Sequence, residues 1–166
     1  MQEKDLNPNP DYIRELLAIV NASPFPVHMK MRLASMGLDT AVIELRSDRC
    51  HLQPYGILHG GVLATLVDTA TFWSAYMRIP EDAGLVNIDL KLNYLKPVEK
   101  GVLRAEGRAL RSGKSISYAE ATVLNDKGER VAHGTSTLMV LPGKGIPTEN
   151  KKFIPGIPDV PPTDPR

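Results

Sequence analysis

Residues 58–77 read LHGGVLATLVDTATFWSAYM, and this stretch decides the fold. From Gly61 onward a helix of this sequence is apolar on nearly every side, and Asp68 is its only charged residue. A helix that is apolar all round lies inside a protein rather than on its surface. A bilayer span would need about 20 mainly apolar residues without a central carboxylate. The sequence therefore predicts a buried helix over residues 62–77 and no membrane segment.

Strand-like segments follow this helix. In residues 86–95 apolar and polar side chains alternate, which is the pattern of a half-buried strand. Residues 101–111, 115–124 and 130–141 continue the pattern, with glycine-containing turn signals between them. Residues 40–49 alternate weakly and are interpreted as a strand before the helix. A mostly antiparallel sheet wrapped around one apolar helix gives an α+β fold class.

The two ends of the chain have different patterns. Asn9 and Pro10 read as the cap and first position of a helix whose apolar residues recur at helical spacing up to Val20. Residues 1–10 are expected to be disordered. After Pro142 the chain is rich in proline and shows no periodicity, which predicts a tail.

Composition and charge restrict the function classes. The apolar fraction of 42% and charged fraction of 23% are those of a globular domain, and 166 residues suffice for one core. A formal net charge of +1 lacks the basic excess that phosphate binding requires, so no nucleic-acid partner is expected. One cysteine cannot form an internal disulfide, which fits a reducing, cytoplasmic location.

The first chemical feature is the start of the buried helix. His59, Gly60 and Gly61 precede it, and the N–H groups at a helix start are unsatisfied and carry positive partial charge. Glycine allows close approach of a ligand to the backbone, so the Gly60 N–H could polarise a carbonyl and stabilise an oxyanion. Gln53, in a loop upstream, offers an amide that could hold a water or an acyl oxygen.

The second feature is Asp68. A carboxylate on an apolar helix is costly unless it has a task or a partner, and burial would raise its pKa and make it a better base or nucleophile. His59 and Asp68 would lie on opposite sides of a helix, about 13 Å apart along its axis. If both serve one site, Asp68 must come from a second subunit, which predicts a twofold dimer with two shared sites.

At this point the sequence resembles a known family. Residues 53–61, QPYGILHGG, with Asp68 nine residues after His59, are similar to the hotdog-fold acyl-CoA thioesterases of the phenylacetyl-CoA thioesterase-like group. The resemblance covers about residues 25–141. It implies a hotdog fold, in which a curved antiparallel sheet wraps around one long helix, and dimers that often pair into tetramers.

The implied activity is hydrolysis of a small to medium acyl or aryl thioester to the free acid and coenzyme A. Coenzyme A is then part of the substrate, and no separate cofactor is expected. The predicted organisation is an N-terminal extension with a helix over residues 1–24, the hotdog domain over 25–141, and a proline-rich C-terminal tail over 142–166.

The resemblance also implies roles for individual residues. Asp68 would be the catalytic acid, attacking the carbonyl or activating water, and Gly60 would donate the oxyanion N–H with support from His59 and Gln53. Asn87 stands where some members have a serine or threonine that orients the nucleophilic water.

Further residues are expected to bind substrate. The loop with Arg111 and Lys114 matches the region where such proteins hold coenzyme A phosphates, and two cations beside a tight turn are suited to an anion. Gly61, beside the oxyanion donor, and Phe72, as core or acyl-pocket wall, complete the predicted set. The histidines and the cysteine show no metal-ligand spacing, so no metal is expected.

Structural alternatives stay open for these residues. His59 could be a satisfied structural histidine, Asp68 the partner of a buried arginine, and Asn87 a side chain that faces water. Arg111 and Lys114 could form a solvated turn. At the level of function, a hotdog hydratase or dehydratase acting on acyl thioesters and a non-catalytic acyl-CoA binding module are the two alternatives.

Overall fold

The computed structural model describes residues 6–155, and a single helix, α3, lies at its centre. Buried residues occur on every side of α3, and Leu66, Val67 and Ala70 have no exposed surface. The predicted buried helix is confirmed, with a start two residues earlier than expected.

In chain order the elements are β1 (Leu6–Pro8), α1 (Pro10–Asn21), α2 (Pro24–His28), β2 (Met31–Gly37), β3 (Thr40–Arg46), α3 (Gly60–Tyr76), β4 (Ala83–Tyr94), β5 (Val102–Ser112), β6 (Ile116–Leu124), β7 (Arg130–Pro142) and β8 (Phe153–Pro155).

Six of the strands form one sheet in the order β2-β3-β5-β6-β7-β4, and every neighbouring pair is antiparallel. This confirms the α+β fold class, with the sheet packed on the buried helix. None of the helices within residues 6–155 has the length and hydropathy needed to cross a bilayer.

Two glycines set how closely α3 approaches the sheet. A Cβ atom on Gly107 of β5 would lie 2.1 Å from the carbonyl oxygen of Ala70, which no side chain can tolerate. On Gly134 of β7 it would lie 2.9 Å from a methyl group of Val67. The helix therefore rests directly on the backbone of the sheet, where close packing and burial of its apolar side chains stabilise the fold.

The N-terminal helices cover one edge of the sheet. Asn9 caps α1 by accepting a hydrogen bond from the N–H of Asp11, and Pro10 is its first residue, as predicted. At the other end of α1, the Asn21 side chain donates to the carbonyl of Leu33 at 3.0 Å and accepts from its N–H at 2.8 Å. This amide pairs the two backbone groups of Leu33 that face away from β3 on edge strand β2.

The opposite edge is formed by β4, and it is open. Within residues 6–155 its only strand partner is β7, although β4 is twelve residues long. A bulge at Ile88 interrupts the pairing, so the expected alternation of side chains changes phase along the strand. Val86 and Ile88 are exposed, contrary to the half-buried pattern of the sequence, because no layer covers this edge in the single chain.

Several local elements differ from the sequence interpretation. The strand expected at residues 40–49 ends at Arg46, and its hairpin partner β2 was missed because Met31–Gly37 does not alternate clearly. The proline-containing segment that ends α1 continues into α2, since Pro24 occupies the first turn, where its missing N–H is not needed.

The chain ends also differ from expectation. Disorder was predicted over residues 1–10, but Leu6–Pro8 forms strand β1 and pairs with β8, while residues 1–5 lie outside the described residues. β8 belongs to the segment that the sequence assigns to a tail. The two strands lie almost the whole chain apart, so a local pattern cannot show their pairing. The division into domains stays a prediction.

A buried lysine anchors this C-terminal segment. Lys152 is 1% exposed, and its Nζ donates to the carbonyl oxygens of Tyr76 and Ile79, each at 3.0 Å, while lying 4.2 Å from the centre of the Tyr76 ring. Tyr76 is the last residue of α3, and Ile79 lies three residues beyond it, so the cation stands at the C-terminal end of the helix, where it is favoured. Burial nevertheless lowers the pKa of Lys152 to about 8.

Lys152 should make stability depend on pH. The folded-state pKa lies below that of an exposed lysine, so the unfolded chain binds more protons between about pH 8 and pH 10.5, and stability contributed by this group rises with pH in that window. Urea unfolding of wild type and Lys152→Met should show the wild type gaining up to about 3 kcal/mol relative to the variant across the window. A difference that stays constant with pH would contradict this.

Candidate functional site

Asp68 lies on α3, half-buried, at the side of the helix that faces strand β4. Its Oδ1 accepts a hydrogen bond of 2.7 Å from the Nδ2 of Asn87. Burial raises the pKa of Asp68, and the hydrogen bond from Asn87 lowers it by a smaller amount. Asp68 forms no ion pair within residues 6–155, so the structure does not support the interpretation as the partner of a buried arginine.

Asn87 stands at the bulge of β4, next to the unpaired Ile88. It is half-buried and turned towards α3, so the interpretation as a water-facing side chain is wrong. Its Oδ1 is buried and accepts no hydrogen bond from any described residue. A buried amide oxygen without a donor is costly and is uncommon in folded proteins. Asn87 therefore holds the carboxylate on one side and has an unused acceptor on the other.

The start of α3 is organised by His59. His59 is the N-cap residue, and its Nδ1 accepts a hydrogen bond of 2.9 Å from the N–H of Gly61. The structural interpretation of this histidine is thus correct in part, because capping fixes one ring nitrogen. The N–H of Gly60 has no acceptor among residues 6–155, so it is free to bind a ligand atom.

Gln53 and Gly60 line one cavity of about 410 Å³, together with Tyr94 at the end of β4. A Cβ atom on Gly60 would lie 3.1 Å from the Tyr94 ring, so the ring covers the helix start closely. Tyr94 was missed as a site residue because the alternation of the strand assigned it to the core, whereas it is 58% exposed. The sequence signal for an exposed Tyr94 was its position at the end of a strand, two residues before Lys96 and Pro97.

Asp68 lines a different cavity, of about 380 Å³, with Phe72 and Trp73. No residue is common to this cavity and the one at Gly60. Eight residues of helix separate Gly60 from Asp68, a rise of about 12 Å. One protomer therefore does not bring the carboxylate and the free N–H together.

Arg111 and Lys114 line a third cavity, of about 760 Å³, at the turn between β5 and β6. Both side chains are exposed. Arg78 also lines this cavity and forms an ion pair with Asp39 at 2.5 Å. Asp39 lines the cleft as well and offsets the charge of Arg78, so the cleft keeps the positive charge of Arg111 and Lys114, which can attract an anion. The cleft is separate from the cavities at Gly60 and Asp68. Within residues 6–155, no group of three or more histidine, cysteine or carboxylate side chains could hold a metal ion.

Comparison with known proteins gives the family. Residues 55–132 match the thioesterase superfamily. The chain is 31% identical to the proofreading thioesterase EntH of Klebsiella pneumoniae over 121 residues, which cover 70% of this chain and 88% of that protein. It is 29% identical to mouse acyl-coenzyme A thioesterase 13 over 110 residues, 65% of this chain and 78% of that protein.

A solved structure supports the fold. The PaaI protein of the Escherichia coli phenylacetic acid degradation operon superposes with a TM-score of 0.71 at 20% identity, covering 78% of this chain and 93% of that one. The predicted hotdog fold and the resemblance to hotdog thioesterases are thereby confirmed.

Asn87 should control the ionisation of Asp68. Asn87→Leu keeps a similar side-chain volume and removes the donor that lowers the pKa of Asp68, so this pKa should rise further above the usual range of aspartates. Heteronuclear NMR of the aspartate carboxyl carbons would measure it. Asn93→Leu, an exposed position on the same strand, is the control and should leave the titration unchanged. An unchanged midpoint in Asn87→Leu would contradict the assigned contact.

Proposed function

The chain belongs to the thioesterase superfamily and is a thioester hydrolase, and we propose that it cleaves acyl-CoA thioesters at a site shared by two subunits. Asp68 of one protomer acts as base or nucleophile, and the Gly60 N–H of the other binds the developing oxyanion. The observation that carries this proposal is that edge strand β4 touches both groups, Asp68 through Asn87 and Gly60 through Tyr94.

The open edge of β4 suits a second copy of the chain. A long edge strand with exposed apolar side chains tends to pair with another strand unless it is blocked. Asn87 and Tyr94 are about 20 Å apart along β4, and the bulge at Ile88 places both on the face towards α3. If two β4 strands pair antiparallel about a twofold axis near Lys91, Asn87 of each protomer lies opposite residue 94 of its mate.

This register supports a composite site. Asp68 is hydrogen-bonded to Asn87, so it would lie close to Tyr94 of its mate. That Tyr94 in turn lies against Gly60 of the same mate. The carboxylate and the free N–H, which one protomer keeps apart, would then face the same space between the subunits. Exposed apolar residues elsewhere on the sheet, such as Ile116 and Met139, are also consistent with dimers that pair into tetramers.

In the proposed chemistry the Gly60 N–H polarises the thioester carbonyl. Capping by His59 keeps the helix start in place without using this N–H, and Gln53 in the same cavity holds a water or the acyl oxygen. Positive partial charge at the start of α3 stabilises the oxyanion as it forms, and preorganised donors of this type lower a barrier without reorganisation.

Asp68 supplies the base or the nucleophile. As a base it takes one proton from water while the hydroxide oxygen bonds to the carbonyl carbon. Collapse of the tetrahedral intermediate expels the coenzyme A thiolate, which recovers the proton from Asp68. As a nucleophile its carboxylate oxygen bonds to the carbonyl carbon as the C–S bond breaks, which gives a mixed anhydride and the coenzyme A thiolate. Water then hydrolyses the anhydride to the free acid and Asp68, and the proton left on Asp68 passes to the thiolate. A pKa raised by burial favours either role, because a more basic carboxylate accepts protons and attacks carbon more readily.

The phosphates of coenzyme A are assigned to the cleft at the β5–β6 turn. Arg111 and Lys114 are exposed there, and Gly113 folds the turn tightly by donating to the carbonyl oxygen of Ile116 at 3.0 Å. Gly61 contributes to binding beside the oxyanion donor Gly60. Phe72 contributes to binding in the cavity that Asp68 lines. The substrate class is a small to medium acyl or aryl coenzyme A ester.

Replacement of Asp68 should abolish catalysis without unfolding the protein. Asp68→Ala removes the base or nucleophile, so release of thiol from an acyl-CoA panel should fall by at least about a thousandfold. Light scattering should find the variant in the same oligomeric state as wild type. Near-normal turnover would contradict the mechanism, and a change in enoyl absorbance without thiol release would point to a hydratase.

The shared site can be tested by deleting the N–H of Gly60. His59 has φ −66° and ψ 135°, a conformation that precedes proline readily, and Gly60 is the first helical residue, where proline is accepted. Gly60→Pro should lower kcat by about 100-fold or more, because one oxyanion donor is lost. Gly60→Ala adds a side chain at the same contact with Tyr94 but keeps the N–H, and serves as the matched control.

Mixing the two inactive variants gives the deciding measurement. When Asp68→Ala and Gly60→Pro subunits are unfolded and refolded together, half of the dimers are mixed and each mixed dimer keeps one intact site. Activity should return to about a quarter of the wild-type value. A mixture as inactive as its components would contradict the shared site and place both groups in one subunit.

A further inference from the structure

The cavity at Asp68 has a wall that the matched family region does not supply. Phe72 and Trp73 line its inner side, from α3. Ile19 at the end of α1, Phe25 in α2 and Ile146 after β7 also line it, and all three lie outside residues 55–132. The reactive group thus sits on the shared core, and the far side of the cavity is built by the two terminal segments of this chain.

The lining restricts what the cavity can hold. Among the described residues that line it, Asp68 is the only charged one, and most of the others are apolar or aromatic. A second charge would be desolvated without a partner there, which is costly. A dry cavity of about 150 Å³ suffices for benzene, so about 380 Å³ has room for an aryl or medium-length alkyl group. The occupant suited to this space is the uncharged acyl end of the substrate.

The wall is fixed in place by contacts away from Asp68. Pro24 and Pro26 flank Phe25, which limits the backbone freedom of the short helix that carries it. Glu15 of α1 accepts hydrogen bonds from the N–H groups of Glu149 and Asn150, at 2.7 and 3.1 Å. These bonds tie α1 to the segment that carries Ile146. A rigid wall selects between acyl groups by size.

We propose that Phe25, with Ile19 and Ile146, is the specificity-determining wall of the acyl pocket, and that the terminal segments set which uncharged acyl groups the enzyme accepts. This inference rests on the proposed function, since it takes Asp68 as the reacting group. It assigns selectivity to residues that have no part in the chemical steps. An acetyl ester has a single methyl group beyond its carbonyl and fills little of a cavity of about 380 Å³, so its hydrolysis should depend least on this wall.

The test compares two neighbouring positions of α2. Phe25 and Val27 are similarly exposed, at 55% and 59%, but only Phe25 lines the cavity. In Phe25→Ala, kcat/KM for the preferred aryl or medium-chain ester should fall about tenfold relative to acetyl-CoA, because the longer group loses its apolar contact. Val27→Ala should leave this ratio at the wild-type value. An equal change in both variants, or none in Phe25→Ala, would overturn the proposal.

A binding measurement separates this inference from the proposed function. Trp73 is the only tryptophan of the chain and lines the cavity, so its fluorescence reports occupancy without catalysis. Titration with octanamide or phenylacetamide, which are uncharged, should show weaker binding in Phe25→Ala and in Ile146→Ala, with Val27→Ala unchanged. Absence of thiol release in wild type would refute the proposed function alone. A fluorescence response identical in all four proteins would refute the wall.

Discussion

The fold depends on covering a helix that is apolar on all sides. All six strands of the main sheet contact α3, and Gly107 and Gly134 lack the side chains that would hold it away. Because the helix is enclosed, its single carboxylate is placed where water is scarce and its pKa rises. Asp68 contacts Asn87 of β4 and opens into the cavity that α1 and α2 help to line. The requirement to bury α3 thus determines both the stability of the fold and the place of this carboxylate.

The remaining elements divide into those that hold α3 and those that shape the space next to it. Lys152 binds the carbonyl oxygens at one end of the helix, and His59 binds an N–H at the other. α1 and α2 lie along the side, where they form part of the cavity at Asp68. The same buried helix is therefore anchored at both ends while the wall beside its carboxylate comes from segments distant in sequence.

Much of the fold was predictable because its signals are local. The all-round apolar character of α3, the alternation of β5 to β7 and the Asn9 cap each require only a few neighbouring residues. β1 and β8 were not predictable, because each has three residues and is defined only by its partner at the other end of the chain. β2 has no clear alternation, and its edge is completed by the side chain of Asn21 rather than by a strand.

The candidate site was predictable in its residue types and less so in its geometry. The isolated charge on an apolar helix identified Asp68, and the paired glycines identified the helix start. The contact between Asn87 and Asp68 depends on the bulge at Ile88, which reverses the phase of the strand and leaves no mark in the alternation. Tyr94 does lie on the face towards α3, as the alternation predicts, but it is 58% exposed because it stands at the last position of the strand. Register and phase are set by tertiary packing, which a single sequence does not display.

The two edge strands of the sheet, β2 and β4, differ in whether they can pair with a strand of another copy. The amide of Asn21 pairs both backbone groups of Leu33 on β2, so a strand added at this edge would have to displace it, while β4 has only β7 as a strand partner within residues 6–155. A sheet that can gain a strand at one edge alone stops growing after one copy has been added. The added copy presents its own β2 edge outward. If copies of the chain pair through β4 as proposed, the side chain of Asn21 would favour a closed dimer over an extended filament.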